Sequence, residues 1–197
     1  MKTLALSAAA SLMATTAALA QVETRAVTFE NEGATLHGTL FLPEGHDGTA
    51  LPTIVVTGAW TWGQEQMPRV YAEQRVERGF AAFTFDFRGW GKSGDLPQGV
   101  RFVESPEAKT SDIRAAFAFL ATHPDIDADR LHGLGICASA GYMVDAASGN
   151  DLVQRVGLVA PWLQNGDIVE AVYGGREGVE TLINLSRTAE AEGGQLI

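Results

Sequence analysis

The sequence is poor in several residue types, and each shortage narrows what the chain can be. Its single cysteine, Cys137, cannot form a disulfide within the chain. There are 14 lysines and arginines against 24 aspartates and glutamates, and the net charge of −10 argues against nucleic acid or an anionic membrane as a partner. No group of histidine, aspartate and glutamate has metal-ligand spacing, which argues against a metal enzyme. Internal repeats and heptads are also lacking, so one globular domain is expected.

The first 20 residues have the pattern of a secretory signal peptide. Lys2 provides a positive start, residues 4–19 form an apolar run, and residues 18–20 read Ala-Leu-Ala, a small-residue cleavage site. The pattern predicts cleavage after Ala20 and a mature domain over residues 21–197. We therefore expect a periplasmic or secreted protein with no membrane anchor after cleavage.

The rest of the chain alternates between predicted strands and predicted helices. Two leading strands, at 22–29 and 35–42, are joined by a turn at Asn31-Glu32-Gly33. Further strands are predicted at 53–57, 80–85, 131–136 and 156–160, and helices at 67–78, 106–122, 138–147, 168–173 and 179–192. This order predicts a three-layer α/β fold with a mostly parallel sheet. Functional sites in such folds lie at the carboxyl ends of the strands.

Residues 135–139, Gly-Ile-Cys-Ala-Ser, join a predicted strand to a helix rich in small residues. This is the layout of a nucleophile elbow, with Cys137 as the nucleophile and Gly135 where a side chain would collide across the turn. A helix N-terminus there would favour a thiolate and a developing oxyanion. In a second register, residues 137–141 put Ser139 at the tip as the alternative nucleophile. Cys137 is then the small residue before the tip. A further alternative, with no catalytic role, is that Cys137 is a small buried apolar residue, as most free cysteines are.

The loop at residues 58–63, Gly-Ala-Trp-Thr-Trp-Gly, follows a predicted central strand directly. Its backbone N–H groups, at Ala59 or Trp60, are candidates for half of an oxyanion hole, and the amide of Ala138 for the other half. Trp60 and Trp62 are candidates for the wall of an acyl or aromatic pocket. The alternative is that the two indoles only cover the sheet.

A glycine-rich segment at residues 89–94 contains the letters G-x-G-x-x-G. No helix is predicted after Gly94, so the dinucleotide-binding interpretation is rejected. The spacing of a phosphate-binding loop also fails, because Asp86 stands where that loop needs a glycine. A structured turn, tied to its neighbours by Asp86 and Arg88, fits better.

Together these motifs resemble an α/β-hydrolase over about residues 25–190. The motifs that carry the resemblance are Thr57-Gly58 after a strand, Phe85-Asp86-Phe87-Arg88-Gly89-x-Gly91-x-Ser93-x-Asp95, Asp129-Arg130, and Gly135-Ile136-Cys137-Ala138-Ser139. Within that superfamily the chain is similar to the dienelactone-hydrolase-like and thiohydrolase-like branch, some members of which carry cysteine at the elbow. The resemblance implies hydrolysis, or sometimes transfer, of an ester, lactone, thioester or amide acyl group on a small molecule, without a cofactor.

The chain departs from that family in one respect. The family order is nucleophile, acid and then histidine, whereas all four histidines here precede Cys137. Asp167 is more readily interpreted as a solvated residue at a helix start than as the acid. We therefore expect a fold that is incomplete at its C-terminal side, with the triad aspartate and histidine beyond residue 197 and the strand at 156–160 near an open edge. Three functions stay open: a hydrolase, an acyltransferase of the same fold, and an inactive remnant or binding module.

Overall fold

The computed structural model describes residues 21–191, and the predicted signal peptide lies outside these described residues. A six-stranded sheet forms the centre of the described part. Its strands are β1 (Val22–Asn31), β2 (Ala34–Pro43), β3 (Leu51–Thr57), β4 (Ala81–Phe85), β5 (Ile126–Ile136) and β6 (Val153–Val159). Their order across the sheet is β1-β2-β4-β3-β5-β6.

The sheet is mostly parallel. β2 runs antiparallel to both β1 and β4, whereas β4, β3, β5 and β6 run parallel to one another. The hairpin between β1 and β2 turns at Glu32 and Gly33, whose φ angles of 46° and 80° lie in the left-handed region. A tight hairpin turn requires such angles. The structure therefore has the turn that the sequence predicts at residues 31–33.

Helices cover both faces of the sheet. They are α1 (Met67–Val76), α2 (Pro106–Leu120), α3 (Ser139–Ala147), α4 (Gly166–Val172) and α5 (Gly175–Ala191). One core forms around α1, with Ala72 and Val76 against β-strand residues such as Val56. The other and larger core joins α2 and α3 to the opposite face of the sheet. The predicted three-layer α/β fold with a mostly parallel sheet is confirmed.

Helix α2 begins where its sequence predicts. The hydroxyl of Ser105 accepts a hydrogen bond from the N–H of Ala108 at 3.2 Å, and Pro106 occupies the first turn. The predicted apolar face of this helix is buried, with Ile113 and Phe117 fully inaccessible. This packing fixes α2 against the sheet and against α3.

Two strands begin three or more residues earlier than the sequence predicts. β5 starts at Ile126 rather than at residue 131, and β6 starts at Val153 rather than at residue 156. The extra residues are mostly polar, so no apolar pattern marks them. They become strand because Ile126 pairs with Leu51 and Val153 pairs with Leu131, contacts that only the folded sheet provides.

β6 is the last strand of the sheet in the described part of the chain. Helices α4 and α5 follow it and pack mainly against each other. Several of their apolar side chains are exposed, among them Leu182 and Leu185. Among residues 21–191, no helix combines the length and apolarity needed to span a bilayer.

Candidate active site

Cys137 forms the turn between β5 and α3. Its φ of 55° lies in the left-handed region, which is uncommon for any residue other than glycine. The N–H of Cys137 donates to the carbonyl of Val159 at 3.0 Å. The carbonyl of Cys137 accepts from the N–H groups of Ala140 at 3.1 Å and Trp162 at 3.0 Å. These three bonds hold the strained residue between a strand end and a helix start.

The close approach of β5 and α3 at this turn requires glycine at position 135. A Cβ atom at this position would lie 2.7 Å from both the Cα of Ala140 and the carbonyl oxygen of Ser139. Both are backbone atoms of α3 and cannot move without moving the helix. The strand end and the helix start are therefore as tightly packed as a nucleophile elbow demands.

Ser139, the alternative nucleophile, has a different environment. It is the first residue of α3, with 1% of its surface exposed, and its φ is not among the positive values. Cys137 is half-buried. Cys137, and not Ser139, therefore has the left-handed conformation expected at the tip of the elbow. Ser139 is buried in the first turn of α3.

The candidate donors of the oxyanion hole are backbone N–H groups that have no acceptor in the described part of the chain. Within residues 21–191, those of Ala59, Trp60 and Ala138 donate to no backbone or side-chain acceptor. The next two amides of the 58–63 loop are occupied, since the N–H of Trp62 donates to the carbonyl of Ala59 at 3.2 Å and that of Thr61 donates to Glu104. An oxyanion hole needs free donors of this kind.

A cleft of about 300 Å³ opens beside the elbow helix. Trp60 and Ala138, which the sequence assigns to the pocket and to the oxyanion hole, both line it. Ala59, Trp62 and Cys137 are not among its lining residues. The remaining walls come from Pro106, Gly141, Tyr142, Val144, Asp145, Trp162, Leu163 and Gln164.

The sequence analysis missed most of these walls. Trp162 and Leu163 follow the end of β6, so the rule that sites lie at the carboxyl ends of parallel strands was a usable signal for them. Tyr142 lies one helical turn into α3 and carries no comparable signal. Both Trp162 and Leu163 are partly exposed and make one side of the cleft apolar.

A buried ion pair lies behind the cleft. The ammonium of Lys109 is 2.7 Å from both carboxylate oxygens of Glu104, and the Tyr142 hydroxyl donates to the same carboxylate at 3.1 Å. Burial lowers the pKa of Lys109, although Glu104 opposes that shift. Burial and the neighbouring Glu104 carboxylate together raise the pKa of Tyr142.

The segment at residues 86–95 is a structured turn, as predicted. The carboxylate of Asp86 accepts from the N–H groups of Gln64 at 2.9 Å and Lys92 at 3.1 Å. Arg88 is paired with Asp112 at 2.6 Å and with Glu32 at 2.7 Å. Its charge is therefore used inside the fold and is not directed at the cleft.

None of the four histidines lines the cleft or is bonded to Cys137 in the described part of the chain. His37 and His132 lie within β2 and β5, and His46 contacts Asp125 at 3.2 Å. Asp167, in the first turn of α4, is exposed, as the sequence analysis expected of a helix-start residue.

No protein-family model matches the chain. Among curated proteins, it is 34% identical over 177 residues to the uncharacterized protein PA2218 of Pseudomonas aeruginosa, a match that covers 89% of this chain and 46% of that protein. It is 31% identical over 117 residues to a polyketide transferase of Penicillium crustosum (59% and 37% covered) and 30% identical over 117 residues to a thiohydrolase of Eupenicillium brefeldianum (59% and 36% covered). The chain spans about half the length, or less, of these relatives.

Solved structures show the same architecture. The crystal structure of PA2218 matches with a TM-score of 0.76 and 32% identity, covering 88% of this chain and 55% of that one. The α/β-hydrolase GrgF of Penicillium sp. sh18 matches with a TM-score of 0.72 and 19% identity, covering 89% and 57%. A dienelactone-hydrolase-like phosphotriesterase from metagenomic libraries, P91, matches with a TM-score of 0.61 and 18% identity, covering 74% and 63%.

Proposed function

We propose, starting from the α/β-hydrolase fold that this chain has, that it carries the nucleophile and oxyanion-binding part of an acyl-hydrolysing site. Its substrate would be an ester, lactone or thioester, and Cys137 would be the nucleophile. The observation that carries the proposal is the left-handed turn at Cys137, between the end of β5 and the start of α3. The amides of Ala138, Ala59 and Trp60, which have no acceptor among residues 21–191, support it.

The proposed reaction has two covalent steps. The Cys137 thiolate attacks the carbonyl carbon, so that an S–C bond forms and the carbonyl electrons move onto oxygen, where the amides of Ala138 and of Ala59 or Trp60 stabilise the charge. The bond to the leaving group then breaks, and the leaving group takes a proton. Water attacks the resulting thioester in the second step, releases the acid and restores the thiol.

Proton transfer is the part that these residues do not supply. No histidine contacts Cys137 among residues 21–191, and cysteine thiols are only a few per cent thiolate at neutral pH. The free N–H groups and the dipole at the start of α3 stabilise negative charge on the carbonyl oxygen during the attack. We therefore expect slow acylation by this chain alone, and faster acylation when a base is added.

The cleft favours an uncharged, apolar or aromatic acyl group. Trp60, Trp162 and Leu163 form much of its wall. Among the residues that the structure describes, Asp145 is the only carboxylate in the lining, and no lysine, arginine or histidine lines the cleft. An acyl group with its own carboxylate would meet Asp145 without a cation to balance it, so we expect it to bind poorly.

Acyl transfer is a second candidate, because one similar protein is named a polyketide transferase and another a thiohydrolase. The two differ only in whether water or another nucleophile accepts the acyl group. The pattern at residues 1–20 supports a periplasmic or secreted location for either activity. An inactive remnant that only binds such molecules is the third possibility.

Hydrolysis of activated substrates tests the proposal. The purified chain would be incubated with p-nitrophenyl butanoate and with an N-acetylcysteamine thioester, with and without imidazole as an external base. We expect slow turnover that imidazole accelerates in wild type and in Ser139→Ala, but that is lost in Cys137→Ala. Turnover that survives Cys137→Ala would contradict the assigned nucleophile, and the absence of turnover under all conditions would favour the inactive remnant.

A further inference from the structure

Glu104 lies where three parts of the candidate site meet. It stands between β4 and α2, one residue before the N-cap Ser105. One carboxylate oxygen accepts from the Thr61 N–H at 3.4 Å, a long hydrogen bond, and the other accepts from the Tyr142 hydroxyl at 3.1 Å. Thr61 belongs to the 58–63 loop and Tyr142 to the elbow helix α3. A single carboxylate therefore joins the loop to that helix.

Lys109 fixes the position of this carboxylate. Its side chain is 3% exposed, that of Glu104 is 15% exposed, and the ammonium contacts both carboxylate oxygens at 2.7 Å. The ammonium also lies over the rings of Phe87, at 4.8 Å from the centroid, and Trp90, at 5.0 Å. A cation held over two aromatic faces and paired in this way leaves the Glu104 carboxylate little freedom to move.

The residue that this carboxylate contacts is strained. Thr61 has a φ of 61°, and for a β-branched residue this left-handed conformation is a genuine outlier. Such a conformation persists only where its surroundings hold it. Within the turn, the N–H of Trp62 donates a hydrogen bond to the carbonyl of Ala59. Glu104, which lies outside the turn, accepts a hydrogen bond from the N–H of Thr61. The strained turn immediately follows Ala59 and Trp60, whose N–H groups have no acceptor among the described residues.

We propose that Glu104 is a positioning residue that anchors Thr61 and thereby fixes the Ala59 and Trp60 amides beside the elbow. The inference rests on the proposed function, because it gives these amides their role in binding the oxyanion. Glu104 acts through the loop and exchanges no proton with the substrate. Its removal should therefore lower the rate of acylation more than the affinity for the substrate.

Two substitutions separate the anchoring role from the ion pair. Glu104→Gln keeps the shape of the side chain but leaves the buried ammonium of Lys109 without its carboxylate partner, so we expect this variant to be less stable. Glu104→Asp keeps the negative charge opposite Lys109, but its shorter side chain cannot also reach Thr61. Glu107→Gln is the matched control, since Glu107 is exposed, lies three residues away and does not line the cleft.

Steady-state kinetics and hydrogen exchange of the 58–63 loop give independent readouts. With p-nitrophenyl butanoate and imidazole, we expect kcat to fall about tenfold or more in Glu104→Asp, with KM changed less than about twofold, and Glu107→Gln to match wild type. Exchange of the loop amides, measured by mass spectrometry, should accelerate in Glu104→Asp while α2 and the strands stay protected.

The outcomes distinguish this inference from the proposed function. Loop exchange and kcat that are unchanged in Glu104→Asp would overturn the positioning role. A fall in kcat that occurs in Glu104→Gln but not in Glu104→Asp would also overturn the positioning role. It would show that activity depends only on the negative charge opposite Lys109. If wild type has no turnover, the proposed function fails, and faster loop exchange in Glu104→Asp would still support the anchoring of Thr61.

Discussion

Cys137 adopts a backbone conformation that costs residues with a side chain about 1–2 kcal/mol relative to the right-handed alternative. The hydrogen bonds of its N–H and carbonyl groups, to Val159, Ala140 and Trp162, offset that cost. Strain of this kind is common at functional residues, where the surrounding fold keeps it in place. At this position the backbone favours glycine, whereas acyl chemistry requires a nucleophile.

The first prediction compares Cys137→Gly with Cys137→Ala. Glycine relieves the left-handed strain but loses roughly 0.5–1 kcal/mol of unfolding free energy through the greater freedom of the unfolded chain. We expect Cys137→Gly to be at least as stable as Cys137→Ala, by up to about 1 kcal/mol in urea unfolding. Ala140→Gly, in the ordinary helical part of α3, should instead lose about 1 kcal/mol or more. A glycine variant at 137 that is clearly less stable than alanine would contradict the strain assigned to this turn.

The residues of the elbow were predictable from sequence because a local rule fixes them. Gly135 and Cys137 follow from the spacing of a strand-to-helix turn, and the structure shows the crowding and the positive φ that this spacing implies. Glu104 carries no such signal. Its contacts with Thr61 and Tyr142 span 43 and 38 positions of the sequence, and they arise only when the strands bring three segments together.

The junction of β5 with α3 shows how closely two elements can be packed. The strand supplies Gly135 and the helix supplies the backbone of Ser139 and Ala140, which leave no room for a methyl group. The small residues of the first turn of α3, Ser139, Ala140 and Gly141, allow the same approach. The close packing of these elements places the start of the helix beneath Cys137.

The second prediction concerns Gly135→Ala. Its methyl group would meet backbone atoms of α3 at 2.7 Å, so we expect the unfolding free energy to fall by about 1–3 kcal/mol. Gly141→Ala is the control within the same helix, because its methyl group would come no nearer than 3.7 Å to any atom, that atom being in Leu163. It should be neutral or slightly stabilising through helix propensity. Urea titrations of the three proteins measure this difference, and equal stabilities would argue against a crowded elbow.

Across the whole molecule, the alternation of apolar strands and amphipathic helices predicted the layers and the parallel sheet. The starts of β5 and β6 were not predictable, since their polar residues become strand only through pairing with Leu51 and Leu131. The cleft was only partly predictable. Trp60 and Ala138 lie on it, but its other walls come from Pro106 of α2, the helix α3 and the segment after β6.

The third prediction concerns the pH dependence of global stability. His132 lies on β5 with its Nδ1 buried and unpaired among the described residues, and burial lowers its pKa below the ordinary 6.5, with help from Arg155 and Arg130. The unfolded chain therefore binds this proton more readily than the folded chain. The contribution of His132 to stability is present above about pH 6.5 and is lost as the pH falls through the lower pKa of the folded state.

His132→Leu removes this titratable group and tests whether its contribution to stability decreases as the pH falls. We expect the unfolding free energy of His132→Leu to rise relative to that of wild type as the pH falls from about 7.5 to about 5. The other titratable groups are present in both proteins, so their contributions cancel in this difference. In an Arg155→Gln background the pH-dependent part of the gain should shrink, since one of the two cations near His132 is removed. Urea midpoints at both pH values provide the measurement, and a gain that is the same at both would contradict this assignment.

The most direct test of the account is to trap the acyl-enzyme. The chain would be incubated with an excess of an N-acetylcysteamine thioester, quenched in acid, digested and analysed by tandem mass spectrometry. We predict that the acyl mass is found on Cys137, that it is lost in Cys137→Ala, and that it forms more slowly in Glu104→Asp. An acyl group on Ser139, or an intact chain with no acyl group while the substrate is consumed, would contradict the claim that Cys137 is the nucleophile of this fold.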